Sequence, residues 1–328
     1  MVGWGLCQAV LKWWLVMSSS ASKSSSNGGG DSSLPKEPTR NPPIGYHVIP
    51  PFRVQGISIA GEESVVQIPE LDVCFDIGRC PRLALASPYV ALTHGHMDHA
   101  AGIAYYYSQR QFQGMGTGTI LCPKALEQPI HNLMRAWVDI EAQKTPYQLV
   151  GMNPDDEVEV KNHIFLRAFP TIHPVPSLGF VLVEKRSKLK PELLGLPQEQ
   201  LLAMKASGRE ITQMHEFPLI AYTGDTMWGP HFGREDVLHA SILITECTFL
   251  EKGHRDRAAI GQHLHMDDIL KLLEMSRAKT IVLTHLSRRT HMSEARKEID
   301  AAIPAQHRSR IVLLMDTRSG SSSRTPRG

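Results

Sequence analysis

Three histidines and an aspartate stand within six residues of this chain, in the stretch His94-Gly-His96-Met-Asp98-His99. The apolar residues 89–92 before them predict a buried strand, so the cluster occupies the loop at the carboxyl end of that strand, where α/β folds commonly place their chemistry. Imidazole nitrogens with a few carboxylate oxygens are donors that zinc prefers. His94 and His96 can project to one side of the loop while Asp98 and His99 turn toward a second ion. The stretch therefore predicts the outline of a two-metal site.

Other residues of ligand type follow predicted strands further along the chain. His173, Asp225 and His285 each stand just past an apolar segment. A third-histidine role fits His173. Gly224 lets the backbone approach a metal closely, and the carboxylate of Asp225 can bridge two cations. Taken singly, each is more often a hydrogen-bonded loop residue. Their ordered recurrence after strands predicts instead that they converge on the loop of residues 94–99.

The HxHxDH stretch, the later histidine, the Gly-Asp pair and the final histidine resemble, in type and order, the motifs of the metallo-β-lactamase superfamily. The resemblance covers residues 50–315 and implies an α/β fold, a four-layer αββα sandwich whose metals lie at one edge. It also implies two zinc ions per subunit. One ion would be held by His94, His96 and His173, the other by Asp98, His99 and His285, with Asp225 between them.

Periodicity along the rest of the chain predicts elements that suit this sandwich. Amphipathic stretches predict helices at residues 101–113, 125–142, 266–276 and 293–302, and alternation predicts a hairpin from 52–59 and 64–68. We expect residues 45–316 to form the metallo-β-lactamase domain, with an insertion at about 185–212. The Ser/Gly/Pro-rich composition predicts a disordered extension over residues 1–44 and a disordered tail over 317–328.

Three shorter motifs resemble ribonuclease Z, the endonuclease that trims the 3′ trailer from precursor tRNA, in its short plant-type form. The first is Phe75-Asp-Ile-Gly-Arg-Cys-Pro81, and the second joins Thr245-Glu246-Cys-Thr-Phe249 to Gly261-Gln-His263-Leu-His265. A glutamate that orients a histidine forms an acid–base pair. The resemblance implies that His263, held by Glu246, protonates the leaving 3′-oxygen, with His265 as the alternative. It further implies that Asp98 orients the attacking hydroxide and accepts its proton.

The third motif is the basic segment 185–212, which resembles the insertion that ribonuclease Z uses to hold the body of tRNA. Six Lys and Arg stand against two Glu between residues 185 and 209, although the whole chain carries a net charge of only +2. Phosphate contacts supply most of the affinity for nucleic acid and need local Lys or Arg. The predicted tRNA contacts are Lys188, Lys190, Lys205 and Arg209, and a solvated helix surface is the alternative interpretation. The long Gly/Pro-rich arm of bacterial members is missing from this segment.

These features together predict a zinc-dependent endoribonuclease that leaves a 3′-hydroxyl on the tRNA and a 5′-phosphate on the trailer. The resemblance implies precursor tRNA as partner and a homodimer in which one subunit's insertion holds the tRNA cleaved by the other. A hydrolase of a small phosphodiester or thioester is the alternative enzyme, for which the basic insertion would have no use. A metal-less binding module is the other class, and the filling of all seven ligand positions argues against it.

Cysteine usage and the amino terminus bear on the compartment. The five cysteines are scattered without a CxxC motif, which indicates reduced thiols and a cytoplasmic protein. Residues 1–17 are apolar but lack a preceding basic region and are shorter than the 20 or so residues of a membrane span, so neither a secretory signal nor a membrane partner is expected. A start at Met17 and an organellar transit peptide are the two alternatives for this segment.

Overall fold

The computed structural model describes residues 44–316, so the predicted tail and all of the predicted extension except Ile44 lie outside the described residues. The strands in this range are β1 (Gly45–Ile49), β2 (Phe52–Ala60), β3 (Glu63–Ile68), β4 (Val73–Phe75), β5 (Tyr89–Ala91), β6 (Thr119–Pro123), β7 (Gln148–Met152), β8 (Glu157–Lys161), β9 (Ile164–Pro170), β10 (Leu178–Leu189), β11 (Thr212–Tyr222), β12 (Ile242–Glu246), β13 (Thr280–Thr284), β14 (Leu286–Ser287) and β15 (Ile311–Leu313). The helices are α1 (Arg82–Ala86), α2 (Met97–Ala100), α3 (Ile103–Phe112), α4 (Lys124–Glu141), α5 (Gln198–Ala206), α6 (Glu235–Leu238), α7 (Arg255–Gly261), α8 (Met266–Met275) and α9 (Met292–Ala302).

The first sheet has the strand order β1-β2-β3-β4-β5-β6-β7, with β14 beside β2. Strands β1 to β4 pair antiparallel, and β2 with β3 forms the predicted hairpin. Strands β4 to β7 pair parallel, which requires crossover connections, and helices α1 to α4 lie in these connections. The second half of this sheet therefore places the carboxyl ends of its strands at one edge.

The second sheet has the order β15-β13-β12-β11-β10-β9-β8. Strands β8 to β11 pair antiparallel, and β11, β12, β13 and β15 pair parallel. Strands β10 and β11 continue their pairing as far as Leu189 and Thr212, so both flanks of the predicted insertion are parts of a long β-hairpin. Its tip carries α5.

Three buried apolar clusters define the layers. The cluster between the sheets combines Phe52 and Val66 of the first sheet with Phe180, Ile220 and Val282 of the second. Full burial of such a side chain stabilises the fold by roughly 1.5–3 kcal/mol. Since residues of both sheets share one core, the sheets pack face to face.

The other two clusters lie on the outer faces of the sheets. One joins Ile120 of β6 to Met134 of α4, and the other joins Leu283 of β13 to Ile269 of α8 and Ile299 of α9. Strands covered on both faces read as unbroken apolar runs, as β12 and β13 do. The order is thus helix, sheet, sheet, helix, and the predicted fold class is confirmed. The four predicted helices correspond to α3, α4, α8 and α9, with ends within two residues of the prediction.

Two further sequence expectations can be compared with residues 44–316. Cys74, Cys80, Cys122 and Cys247 are free and buried, in agreement with the predicted reduced thiols. Over the same residues, none of the helices combines the length and the apolar character that crossing a bilayer requires.

Candidate metal centre

The predicted ligands meet at the edge where β5, β9, β11 and β13 end. Their donor atoms fall into overlapping groups whose members lie within 4.8 Å of one another. The groups are His94, His96 and His173; His94, His99 and Asp225; Asp98, His99 and His285; and Asp225, His263 and His285. The structure therefore brings together all seven predicted ligands, and it adds the ring of His263 to their border.

Asp225 lies between the two histidine groups. Its Oδ2 is 3.3 Å from Nε2 of His99, 3.2 Å from Nε2 of His285 and 3.9 Å from Nε2 of His94. The glycine before it adopts φ +59°, and a Cβ there would lie 2.7 Å from Cγ2 of Thr93. Glycine is thus required by a left-handed backbone and by packing between two loops, whereas the sequence argument had assigned it to the approach of a metal.

A buried carboxylate that the sequence analysis did not assign, Asp76, holds the histidine loop. It follows β4 and accepts hydrogen bonds from the backbone N–H of Thr93 at 2.7 Å, from Nδ1 of His99 at 2.8 Å and from the Tyr222 hydroxyl at 3.0 Å. The hydroxyl of Thr93 donates to Asp76 at 2.8 Å and accepts from Nδ1 of His94 at 2.9 Å. Both histidines therefore present Nε2 to the centre, because their Nδ1 atoms are occupied. The sequence feature that could have identified Asp76 is its place in the motif of residues 75–81.

Glu246 plays the corresponding part on the second sheet. It accepts from Nδ1 of His263 at 2.9 Å and from the backbone N–H of Thr226 at 2.7 Å. Its other oxygen accepts from the hydroxyl of Thr248, and that hydroxyl lies 3.0 Å from Nδ1 of His285. One buried glutamate at the end of β12 thus orients two imidazoles, one directly and one through threonine.

The alternative histidine of the same motif has a different environment. His265 is buried and caps α8, where its Nδ1 accepts from the backbone N–H of Asp267 at 3.1 Å. Its Nε2 lies 2.9 Å from the carbonyl oxygen of Glu251. Both ring nitrogens of His265 are therefore engaged in local structure, and it is His263 that lies beside Glu246.

Burial and neighbouring charges set the protonation of the centre. Burial, with a contribution from His99, lowers the pKa of His94 to about 2, and burial also lowers the pKa of His173. These rings are neutral at physiological pH, which is the form that binds a metal. Burial would lower the pKa of His263 as well, but the charge and hydrogen bond of Glu246 outweigh it and raise that pKa to about 9. The ring of His263 is thus largely protonated at neutral pH.

Asp98 is the most exposed carboxylate of the centre, with a side chain 14% exposed. Its Oδ2 accepts from the backbone N–H of Gly61 at 2.8 Å, at the tip of the β2–β3 hairpin, and lies 3.4 Å from Nε2 of His285. Burial opposes ionisation, but the hydrogen bond and charge of His285 and the charge of His99 lower the pKa of Asp98 well below its usual range. The carboxylate is therefore ionised and fixed between the hairpin and the histidines.

The donor set fits divalent metal ions. Imidazole nitrogens and carboxylate oxygens within 4.8 Å, with the opposite ring nitrogen of each key histidine hydrogen-bonded, match the first and outer coordination spheres of zinc sites. Burial opposes protonation of His99, yet the carboxylates of Asp225 and Asp76 raise its pKa. The centre therefore attracts positive charge.

The predicted tRNA contacts lie on the hairpin of β10 and β11. The ammonium of Lys188 lies 4.5 Å above the ring of Phe217, and that of Lys190 is 3.7 Å from Glu210. Lys205 and Arg209 form no ion pair with the acids of residues 44–316. Of the other cations in the segment, Lys185 pairs with Glu157 and Arg186 with Glu184, so the free positive charge is smaller than the sequence count indicated.

Comparison with known proteins shows which proteins the chain is similar to. Residues 81–286 match the family model described as the β-lactamase superfamily domain. The chain is 34% identical to the chloroplastic tRNase Z of Arabidopsis thaliana over 253 residues, 76% of this chain and 71% of that protein. It is 31% identical to a second tRNase Z of Arabidopsis thaliana over 266 residues, 80% of this chain and 95% of that protein. The crystal structure of human tRNase Z, short form, matches with a TM-score of 0.50 at 18% identity, covering 71% of this chain and 91% of that one, and shows likeness of fold.

Proposed function

The chain belongs to the tRNase Z family within the β-lactamase superfamily, and we propose that it is the endoribonuclease that removes the 3′ trailer from precursor tRNA. The products would be a 3′-hydroxyl on the tRNA and a 5′-phosphate on the trailer. The observation that carries the proposal is the Glu246–His263 hydrogen bond at the border of the seven-ligand cluster, which supports a role for His263 as the proton donor. A basic hairpin on the same sheet supplies positive charge for the RNA backbone.

The superfamily implies divalent metal binding, and we propose two zinc ions per subunit. The ligands would be His94, His96 and His173 for one ion, Asp98, His99 and His285 for the other, and Asp225 between them. When bound, such ions lower the pKa of a water molecule and offset the negative charge of a phosphate.

The residues of the chain supply the proton transfers. Asp98, fixed by the N–H of Gly61, would orient the attacking water and accept its proton. His263, charged at neutral pH because of Glu246, would donate its proton to the leaving 3′-oxygen. Since Glu246 is buried and accepts four hydrogen bonds, it keeps the ring in one orientation during the transfer.

Binding of the tRNA body is assigned to the tip of the β10–β11 hairpin. Lys188, Lys190, Lys205 and Arg209 would contact backbone phosphates, and of these four only Lys190 has an acidic partner within residues 44–316. We propose further that the chain acts as a homodimer, since a hairpin that projects from its own sheet can reach a tRNA held by a second subunit. A monomer by light scattering would contradict this.

We propose that the protein is cytoplasmic. Free buried cysteines suit the reducing cytoplasm, and the likeness to a chloroplastic relative makes an organelle the alternative. Fluorescent tagging at the carboxyl end, with and without residues 1–43, separates the two.

The proposal is tested by cleavage of a 3′-extended precursor tRNA with zinc-loaded protein. Two variants accompany the wild type: Asp98→Ala, and a variant in which Asn-Gly replaces residues 190–211. The second design keeps the hairpin, because Leu189 and Thr212 are register partners and Asn-Gly forms a tight turn.

We expect wild type to cut after the last nucleotide of the mature tRNA and Asp98→Ala to be inactive. The shortened hairpin should lose tRNA cleavage while it still hydrolyses bis(p-nitrophenyl) phosphate. If wild type leaves the precursor intact but hydrolyses a small phosphodiester or thioester, the protein is instead a small-molecule hydrolase.

A further inference from the structure

A cation stacks on an aromatic ring beside the His263 ring, and neither side chain has a role in the proposed function. The ring of Phe249 lies 6.3 Å from the ring of His263, and the guanidinium carbon of Arg257 lies 5.4 Å from the centre of the Phe249 ring. The guanidinium also donates to Nε2 of His254 at 3.1 Å, and His254 meets the edge of Phe249 at 6.1 Å. Arg257 is thereby held at two points, on α7, the helix that precedes His263.

The guanidinium of Arg257 is not neutralised by an acid within residues 44–316. The residue is exposed, and it forms no ion pair with the acids of residues 44–316. Arg255, two residues earlier on the same helix, differs in this respect because it lies 3.4 Å from Asp267 and 3.2 Å from Asp268. A guanidinium that is stacked on an aromatic ring, fixed by a hydrogen bond and free of carboxylates is ready for an anionic partner, and its planar fork suits phosphate.

The distance between Arg257 and His263 limits which phosphates of the substrate Arg257 can contact. The two distances through Phe249, 5.4 and 6.3 Å, limit the separation of the guanidinium carbon and the His263 ring to about 12 Å. In the proposed reaction His263 protonates the 3′-oxygen of the last nucleotide of the tRNA. The 5′-phosphate of that same nucleotide is one residue further along the strand, which puts it within reach of Arg257.

We propose that Arg257, positioned by Phe249 and His254, binds the phosphate on the 5′ side of the nucleotide whose 3′-oxygen is released. The inference rests on the proposed function. Arg257 would thus hold the acceptor end of the tRNA against the acid His263, separately from the hairpin that holds the tRNA body. A small phosphodiester has no such second phosphate, so Arg257 contributes nothing to its hydrolysis.

The test compares Arg257→Ala with the matched control Arg255→Ala, both as zinc-loaded protein, over a series of salt concentrations. For Arg257→Ala we expect kcat/KM on precursor tRNA to fall about tenfold, mainly through KM, and the slope of log(kcat/KM) against log[salt] to become shallower by about one. Hydrolysis of bis(p-nitrophenyl) phosphate should stay at the wild-type rate. Arg255→Ala should leave the salt slope unchanged.

Binding and conservative variants give a readout that does not depend on turnover. In an Asp98→Ala background, where the RNA stays intact, fluorescence anisotropy should show the same tenfold loss and the same change of slope for Arg257→Ala. Arg257→Lys should keep the salt slope, and Phe249→Leu should weaken binding about threefold because the cation–π contact is lost.

Three results would overturn the inference. The first is wild-type kcat/KM and salt slope for Arg257→Ala while wild type cleaves the precursor, which leaves the proposed function standing. The second is an equal effect of Arg257→Ala and Arg255→Ala on the slope. The third is failure of wild type to cleave any precursor tRNA while it hydrolyses the small phosphodiester, which removes the proposed function as well.

Discussion

Replacing Glu246 by glutamine tests the proton donor directly, because the substitution keeps the shape of the side chain and removes its charge. In the native protein Glu246 raises the pKa of His263 from 6.5 to about 9 against the opposing effect of burial. Without that charge, burial lowers the pKa and the charge of Asp225 raises it, so we take the ordinary value of about 6.5 for His263 in the variant. A general acid works only in its protonated form, so the activity that depends on it is complete below its pKa and is lost as pH rises through it.

The size of the effect follows from these two values. At about pH 8 roughly nine-tenths of His263 is protonated in wild type but only about 3% in Glu246→Gln, so kcat should fall about 30-fold. At about pH 6 both forms are largely protonated, and the rates should differ by less than about twofold from this cause. Metal ions bound at the centre would lower the pKa of His263 in wild type and in Glu246→Gln alike. The quantity to compare is therefore the difference between the pH values at which the two rate profiles fall on the basic side.

The assay measures kcat on a precursor tRNA as a function of pH. His263→Ala gives the rate that remains without the acid, and thermal melting is the control for folding. Glutamine places an N–H₂ at one of the two carboxylate oxygens, where it faces the backbone N–H of Thr226 at Oε1 or that of Leu264 at Oε2, and this costs about 1–3 kcal/mol of stability. Parallel profiles for wild type and Glu246→Gln would refute the role of the charge. Loss of bound zinc in His263→Ala would show that His263 is a ligand, as its proximity to Asp225 and His285 permits, and would refute its role as the acid.

Three further predictions concern the centre and the core. Asp76→Asn should weaken zinc binding about 10- to 100-fold, because the amide cannot accept from both His99 and Thr93, and a chelator competition that gives wild-type affinity would contradict this. Removal of metal with EDTA should lower Tm by about 10 °C, reversibly on addition of zinc, if zinc is present at about a thousand times its Kd; an unchanged melting curve would show that the ligands are not bridged by an ion. In a Cys7→Ser background no thiol should react with Ellman's reagent before unfolding and four should react in denaturant, since burial raises the pKa of Cys80 and of Cys122 to about 12; fast reaction of the folded protein would contradict the burial.

The resemblance of the motifs implied the sandwich, and local patterns in the sequence indicated where residues of ligand type follow strands. Strands buried on two faces are unbroken apolar runs, and a ligand at a strand end follows such a run directly, as His285 follows β13. Two sheets with one shared edge then bring distant residues together without any further information. The helices could also be predicted from the sequence, because α4 and α8 each have apolar residues along one face.

What the sequence did not reveal depends on contacts between separate segments. The part played by Asp76 requires Thr93, His99 and Tyr222 to surround it, and the motif of residues 75–81 does not by itself indicate these partners. The charge of the insertion was overcounted for a similar reason. Glu157, which neutralises Lys185, belongs to another strand, and a count along one segment cannot include it.

Each sheet contributes one buried carboxylate, and each carboxylate orients two histidines of the centre. Asp76, at the end of β4, holds His99 directly and His94 through Thr93, and Glu246, at the end of β12, holds His263 directly and His285 through Thr248. Each sheet therefore orients its own imidazoles before any ion arrives.

The consequence of this division is that neither sheet forms the centre alone. The carboxylate of Asp225, from the second sheet, lies 3.3 Å from Nε2 of His99, from the first. An ion held at this junction would link the packing of the two sheets to the alignment of the acid with its substrate, because Glu246 orients both a proposed ligand and the proton donor. Loss of the Thr248 hydroxyl should for this reason affect metal binding and proton transfer together, whereas loss of the Thr93 hydroxyl should affect metal binding alone.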